Sequence, residues 1–592
     1  MKRKICAIIL GIAMIVSVTG CGETGAMPVD EVKEDATEAS DGEKEAEASS
    51  DDKDNGSAFP DLTENGSDDD GASDTDKASD DKAEGSVFDD DAEGSASDDK
   101  ETEEDGGLIS VPFYLNQYDD EDQELYFMNY GNNIICSENT RDKYPKLAEK
   151  LEKIAKDCEK DHQLKIDDNA EDAKEFAREA KKDGGTGYYS YYSETALKRF
   201  DDKAVSILKV QNGFFGGAHP DYVFDTINLD PETGKEYVLS DIIKDKDELD
   251  KILINKLEGE YPDVEFFDLK DTLKDFHMDI TGAGDEELEY AYEFTLDPDG
   301  ICFYFDPYGI SAYAYGDQVV KITYDEAPDL FKRDFAMDGG YISYFPSFYT
   351  ACYDLHSDGV VERMSAYQSD YEENDMYTSL SVTLDDNETT VSDTESFNMV
   401  SALVHTDDKK DYMYLITQGM DDYRTLYVID MNGEKPNEGG NVSQSYRWFK
   451  VDDYYGEERP VDPDDLHMAT RMDMLSTYEA GFECEIDDKG MPEKADDYYT
   501  IPENSYVLKS KEDLNTTTVD ENGKEVDSNL TVPAGQYYML YRTDGKKFVD
   551  AKLASGEIVR LYLTKTKKED YGYDVNDQYW EFDLFETLYY AS

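Results

Sequence analysis

The 592-residue chain carries 140 acidic side chains against 57 basic ones, a formal net charge of −83. A surface of that sign repels nucleic acid and anionic lipid and favours cationic partners, so nucleic-acid binding is excluded. Its 46 tyrosines outnumber 25 phenylalanines and 2 tryptophans, which suits sheets whose aromatic rings meet the core on one side and water on the other.

At the N-terminus, Lys2, Arg3 and Lys4 precede an apolar run over 5–16. These are the charged and hydrophobic regions of an export signal, and the run is shorter than the about 20 residues a spanning helix needs. Val18-Thr19-Gly20-Cys21 follows. It resembles the bacterial lipobox, although Val18 and Thr19 stand where Leu and Ala or Ser are usual. The resemblance implies removal of residues 1–20, lipid attachment at Cys21, and a membrane anchor on the extracellular face of a Gram-positive cell. Residues 21–107 are built from Asp, Glu, Ser, Ala, Gly and Thr with almost no large apolar side chains. They cannot bury enough surface to offset ordering entropy, and their like charges repel, which predicts an extended, disordered acidic linker.

The remainder is too long for one ordinary core, so several domains are expected. Apolar spacing at Leu147, Leu151, Ile154 and Cys158 predicts a helix over 144–162, and Asn169 reads as the cap of a second over 169–182. The pairs Tyr188-Tyr189 and Tyr191-Tyr192 read as edge-strand packing. Strands are predicted over 204–210, 222–229, 290–296, 301–305 and 318–324, with turns at 230–234 and 297–300. Ser240 is expected to cap a helix over 240–257. Helices among mostly antiparallel strands make 108–335 an α+β domain.

Four motifs stand in order inside that span. They are Phe214-Phe215-Gly216-Gly217-Ala218-His219-Pro220, Asn228-Leu229-Asp230 with Thr233-Gly234-Lys235, Leu239-Ser240-Asp241-Ile242, and the run from Phe305-Asp306-Pro307-Tyr308-Gly309 to Gly316. Together they resemble the extracellular module of the RsiV-type anti-sigma factors, which also accompanies the catalytic domain of PdaC-type peptidoglycan deacetylases. The resemblance implies a module that binds something outside the cell, lysozyme in the RsiV type, with Gly216, Gly217, His219, Asp306 and Tyr308 as its ligand face. The transmembrane helix and sigma-binding segment of the RsiV type have no counterpart here, so signalling is not implied. For His219 the alternative role is to lock its own turn.

Beyond 335 the pattern is nearly all β. Strands over 399–405, 412–418 and 423–430 form a meander, expected as a small sandwich or blade-like sheet within 336–503. Gly-rich turns at Val532-Pro533-Ala534-Gly535, Thr543-Asp544-Gly545 and Ser555-Gly556-Glu557 are similar to those of bacterial SH3-like barrels, expected over 504–592.

The usual catalytic signatures HExxH, GxSxG, the Walker loop, GxGxxG and CxxC are missing. Ser206-Ile207-Leu208-Lys209 fits SxxK but lacks its companion motifs. Six histidines without a metal-like pair predict no metal site, and no cofactor is implied. The acid pairs Asp297/Asp299 and Asp464/Asp465 read as turn residues and solvated charge. Apart from Cys6 and Cys21, an odd five cysteines remain with no close pair, Cys136, Cys158, Cys302, Cys352 and Cys484, which is not a disulfide framework. The sequence therefore points to a non-enzymatic surface lipoprotein that binds cell-wall material or a cationic protein. The rivals are a peptidoglycan-modifying enzyme or its accessory subunit, and a structural spacer or solute-capture protein.

Overall fold

The structure is a computed structural model. It describes residues 107–590 apart from 120–122, 183, 275, 277–291, 372–375, 421–423, 444–446, 449–455, 496, 503–505 and 568–570. The expected signal, Cys21 and the acidic linker to residue 106 lie outside the described residues, as does the start of the strand predicted over 290–296. The fold is multidomain and mostly β-sheet.

The first sheet begins with β1 (Leu108–Tyr114), β2 (Gln117–Tyr118) and β3 (Leu125–Cys136). A short α1 (Glu138–Lys143), capped by Ser137, leads into the 38-residue α2 (Pro145–Lys182). Two helices were expected here, but the stripe Leu147, Leu151, Cys158, His162, Ile166 and Ala173 stays buried along one continuous face. Asn169 caps nothing: its side chain donates to the Lys165 carbonyl, 2.8 Å away. α2 is the crossover that lets β3 run parallel to β4 (Tyr189–Phe200), since parallel neighbours need a long connection. β5 (Val205–Phe214) and β6 (Asp221–Leu229) extend the sheet antiparallel. With β4 between β3 and β5, its tyrosines pack at the centre of the sheet rather than at an edge, and Tyr192 stacks on Tyr130 with centroids 5.3 Å apart.

The helix expected over 240–257 is broken. α3 (Leu239–Ile242) stops where Ile243 turns extended and bridges Phe331, and Asp245 caps a new helix, α4 (Lys246–Glu260), by accepting from the Glu248 amide at 3.2 Å. After α5 (Leu269–Thr272), Leu249, Leu253 and Leu257 of α4 pack on a three-stranded sheet of β7 (Glu293–Leu296), β8 (Gly300–Phe305) and β9 (Gln318–Thr323).

In the next part, β10 (Tyr341–Phe345), β11 (Ala351–Tyr353), β12 (Glu362–Tyr371), β13 (Tyr377–Leu384), β14 (Asn387–Ser396), β15 (Asn398–His405), β16 (Asp411–Gln418), β17 (Arg424–Asp430) and β18 (Asn437–Ser443) form two sheets, ordered β10-β15-β16-β17-β18 and β11-β12-β13-β14. Leu380 and Val382 of one meet Leu403, Met413, Leu415 and Ile429 of the other in a shared core, which is a β-sandwich. The opposite face of the five-stranded sheet, through Val404, Tyr412, Tyr414 and Val428, joins Leu108, Leu147, Leu197 and Val205 of the first part. Burial on both faces explains the near-continuous apolar run of β16.

Two further features cross the expected boundaries. After β19 (Arg447–Trp448), β20 (Glu457–Arg459) adds to the first sheet beside β1. β21 (Leu466–Asp473), β22 (Thr477–Ile486), β23 (Pro492–Lys494) and β24 (Tyr499–Thr500) continue with β25 (Val507–Lys509), β26 (Leu514–Val519), β27 (Glu525–Val532), β28 (Tyr537–Thr543), β29 (Phe548–Leu553), β30 (Ile558–Lys565), β31 (Tyr573–Val575) and β32 (Tyr579–Trp580), and with β19 make one 13-stranded sheet. The strands after 504 are thus hydrogen-bonded, through β24 and β28, to strands before it.

Candidate functional site

The structure brings the sequence-selected residues together on one edge of the first part. The loop after β5 holds Gly216 at φ +79, and a Cβ there would sit 3.0 Å from the Tyr189 hydroxyl, so only glycine fits comfortably. Three residues on, the His219 ring lies on Tyr313 with centroids 3.9 Å apart and planes 24° from parallel. Tyr308 is the next ring, 5.3 Å from Tyr313. Tyr308 is 57% exposed at φ +72, a backbone region that tyrosine rarely occupies.

The platform is pinned from behind. The Tyr313 hydroxyl donates to the Pro220 carbonyl at 2.7 Å, and His219 Nδ1 lies 3.1 Å from the same oxygen. The Phe224 amide donates to Asp306 Oδ1 at 2.8 Å, joining the strand after one loop to the start of the other. Burial pushes the Asp306 carboxyl up to about 6. One ring nitrogen of His219 thus holds the turn while the ring remains part of an exposed surface. Gly217 has no tight neighbour and supplies only loop. Asp221, 81% exposed in its side chain, stands 3.5 Å from His219 Nδ1 and makes the rim acidic. Tyr313 was not singled out in the sequence. Its place inside the Tyr-Ala-Tyr run of the last motif was the only signal.

Asp297 and Asp299 stand in the turn between β7 and β8, as expected, but they are not solvated. Asp297 is fully buried, with Lys321 Nζ at 3.0 Å and Lys198 Nζ at 3.6 Å, and Lys321 also reaches Asp299 at 2.5 Å. Burial works against the Asp297 charge, but the two ammonium groups outweigh it and hold the carboxyl below its usual range. Lys198 donates to the Tyr353 hydroxyl, which in turn meets Ser343 Oγ at 2.7 Å. The Asp354 amide donates to Asp299 at 2.8 Å. This charged cluster fastens β4, β9 and β11 to one another and has no open face for a ligand.

A second polar chain has the order of a nucleophile, base and orienting group. His162 Nδ1 lies 2.7 Å from Asn129 Oδ1, and its Nε2 lies 3.1 Å from Ser193 Oγ. Asn129 Nδ2 donates to the His162 carbonyl, which leaves Oδ1 as acceptor and Nε2 free to take the serine proton. All three residues are at most 2% exposed, and burial takes the His162 imidazole down to about 4. The nearby cavity between α2 and the sheet, lined by Leu151, Ile154, Cys158, Ile207 and Lys209, measures about 20 Å³. That is room for one water, far below the about 300–1,000 Å³ of a substrate pocket.

Residues 240–325 match the family model described as a protein of unknown function, DUF3298. The chain thus carries a DUF3298 domain there, spanning α3 to the end of β9. Two solved structures of DUF3298 family proteins are similar. The one from Bacteroides fragilis is 20% identical, covers 39% of this chain and 94% of its own, and has a TM-score of 0.29. The one from Pseudomonas aeruginosa is 16% identical, covers 39% and 96%, and has a TM-score of 0.26. No curated protein matches the chain.

Proposed function

We propose that the chain is a non-enzymatic lipoprotein of the cell envelope, held by lipid at Cys21 and carried on an acidic stalk. In this reading the platform of Tyr308, Tyr313 and His219 binds an extracellular ligand. The observation that carries it is an exposed stack of rings held by a glycine turn and a left-handed tyrosine, because strained backbone persists where surrounding structure maintains it for use. Aromatic faces attract guanidinium and ammonium groups, worth about 0.5–1 kcal/mol each at exposed sites. With the acidic rim at Asp221 and the −83 charge of the chain, that favours a cationic protein. The resemblance of its motifs to the RsiV type makes a lysozyme-like protein the ligand to try first. Wall glycan, which also stacks on tyrosine faces, is the second, and an SH3-like role for 504–592 would add wall attachment.

Calorimetric titration of the full chain with lysozyme, a size-matched basic protein and a soluble wall fragment tests the reading. Lysozyme should bind most tightly, with an on-rate that falls as salt shortens the Debye length below about 8 Å. Equal affinity for both basic proteins, or none for either, removes the cationic ligand. Binding of the wall fragment alone transfers the platform to glycan, and release of acetate or sugar from purified wall would favour the enzyme instead.

A further inference from the structure

Fifty residues separate Cys302 from Cys352 in the chain, yet the fold sets them against each other. β8 alternates: Ile301, Phe303 and Phe305 enter the core beneath α4, whereas Cys302 and Tyr304 enter a second core with Val210, Phe224, Val319 and Tyr349. Cys352 of β11 lies in that same core. Its thiol donates to the Val319 carbonyl at 3.7 Å, and Val319 is the register partner of Tyr304. Burial first, and then the neighbouring Cys352 thiol, hold the Cys302 thiol well above its ordinary range. Both side chains are 1% exposed, and both are free thiols. Just after Cys352, the bond from Lys198 to Tyr353 ties β11 to β4, and that from Asp354 to Asp299 ties the end of β11 to the turn before β8.

We propose that Cys302 and Cys352 form a disulfide that covalently joins the DUF3298 domain to the β-sandwich once the chain meets an oxidising compartment. The compartment rests on the export reading, whereas the pairing rests on the fold alone. The oxidant is a small-molecule or protein disulfide. The thiolate of one cysteine attacks it, forming a mixed disulfide and expelling one sulfur as thiol. The second thiolate attacks the mixed disulfide at the cysteine sulfur and expels the other. Two electrons pass to the oxidant, and the two protons lost by the cysteines end on its sulfurs. Burial pushes the Cys302 thiol well up, so the closed fold protects it from thiolate chemistry. Exchange therefore takes place before β11 closes on β8.

The test is to refold the full chain with mixed oxidised and reduced glutathione, quench in acid, alkylate under denaturing conditions and map the peptides. The expected map has a Cys302–Cys352 cross-linked peptide, alkylated Cys136, Cys158 and Cys484, and a melting temperature that drops by several degrees on reduction. Cys484→Ser should keep the cross-link, and Cys302→Ser should free Cys352 for alkylation. Alkylation of both Cys302 and Cys352 in the refolded wild type, or cross-links spread among the five cysteines that follow Cys21, would overturn the pairing. A cross-link formed in vitro supports the pairing even where protein recovered from cells is reduced, and that second result counts against export.

Discussion

Tyr308 is one of several non-glycine residues held in the left-handed region, at φ +72. A left-handed conformation costs an ordinary side chain about 1–2 kcal/mol, and this ring is more than half exposed. Tyr308→Gly should therefore raise unfolding free energy by about 1 kcal/mol in urea titration. A fall of similar size would show that the contact with Tyr313 outweighs the backbone strain. Glu293 offers a pH test. Its Oε2 accepts from both the amide and the hydroxyl of Thr226, and burial pushes its carboxyl up to about 7 from an ordinary 4.5. The folded state then binds more protons than the unfolded one, so stability from this group is complete below about 4.5 and declines as pH rises through about 7. Glu293→Gln should raise stability at pH 8 by about 2–3 kcal/mol and leave it nearly unchanged at pH 4. An equal effect at both pH values would exclude titration of this carboxyl. Much of the platform was legible because its residues stand in ordered motifs. The turn at Asp-Pro-Asp-Gly was legible, but the burial of Asp297 was not, because its partners, Lys198 and Lys321, are distant in sequence.

At the scale of elements, local signals served well where packing agreed with them and failed where packing decided. β15, β16 and β17 fall within a residue or two of their predicted bounds because buried strands announce themselves as apolar runs. Asn169 looks like a cap, but the apolar stripe of α2 remains in phase on both sides of it, so the helix continues. β20 has only three residues, and no pattern that short marks a strand. Backbone pairing sets it beside β1, while Glu457, between Arg459 of the same strand and Arg424 of β17, ties it to the five-stranded sheet. Burial alone would raise the Glu457 carboxyl, but the two guanidinium groups outweigh it and hold it at about 2. The stability this ion pair supplies is present above about 4.5 and is lost as pH falls toward 2. Glu457→Ala leaves two arginines without their shared partner and should cost about 3 kcal/mol at pH 7, measured by denaturant unfolding. A change below about 0.5 kcal/mol would mean that this ion cluster adds little to the joint between β20 and β17.

For the whole molecule, one apolar core links strands before 230 with strands after 340, and β20 completes a sheet begun at Leu108. Domain limits read from composition therefore divide what packing joins, because sequence patterns record the period of each strand and not which sheet it enters. The proposed anchor belongs to this scale too. Cys21→Ala should abolish incorporation of a palmitate analogue and release the protein from the cell or leave it uncleaved, and unchanged label would exclude Cys21 as the lipid site. The most direct test of the platform uses the variant expected to fold better than wild type. Tyr308→Gly, titrated with lysozyme beside the wild-type full chain, should lose at least tenfold in affinity while its melting temperature stays level or rises. Affinity unchanged in a variant that remains folded would contradict the platform as the ligand site.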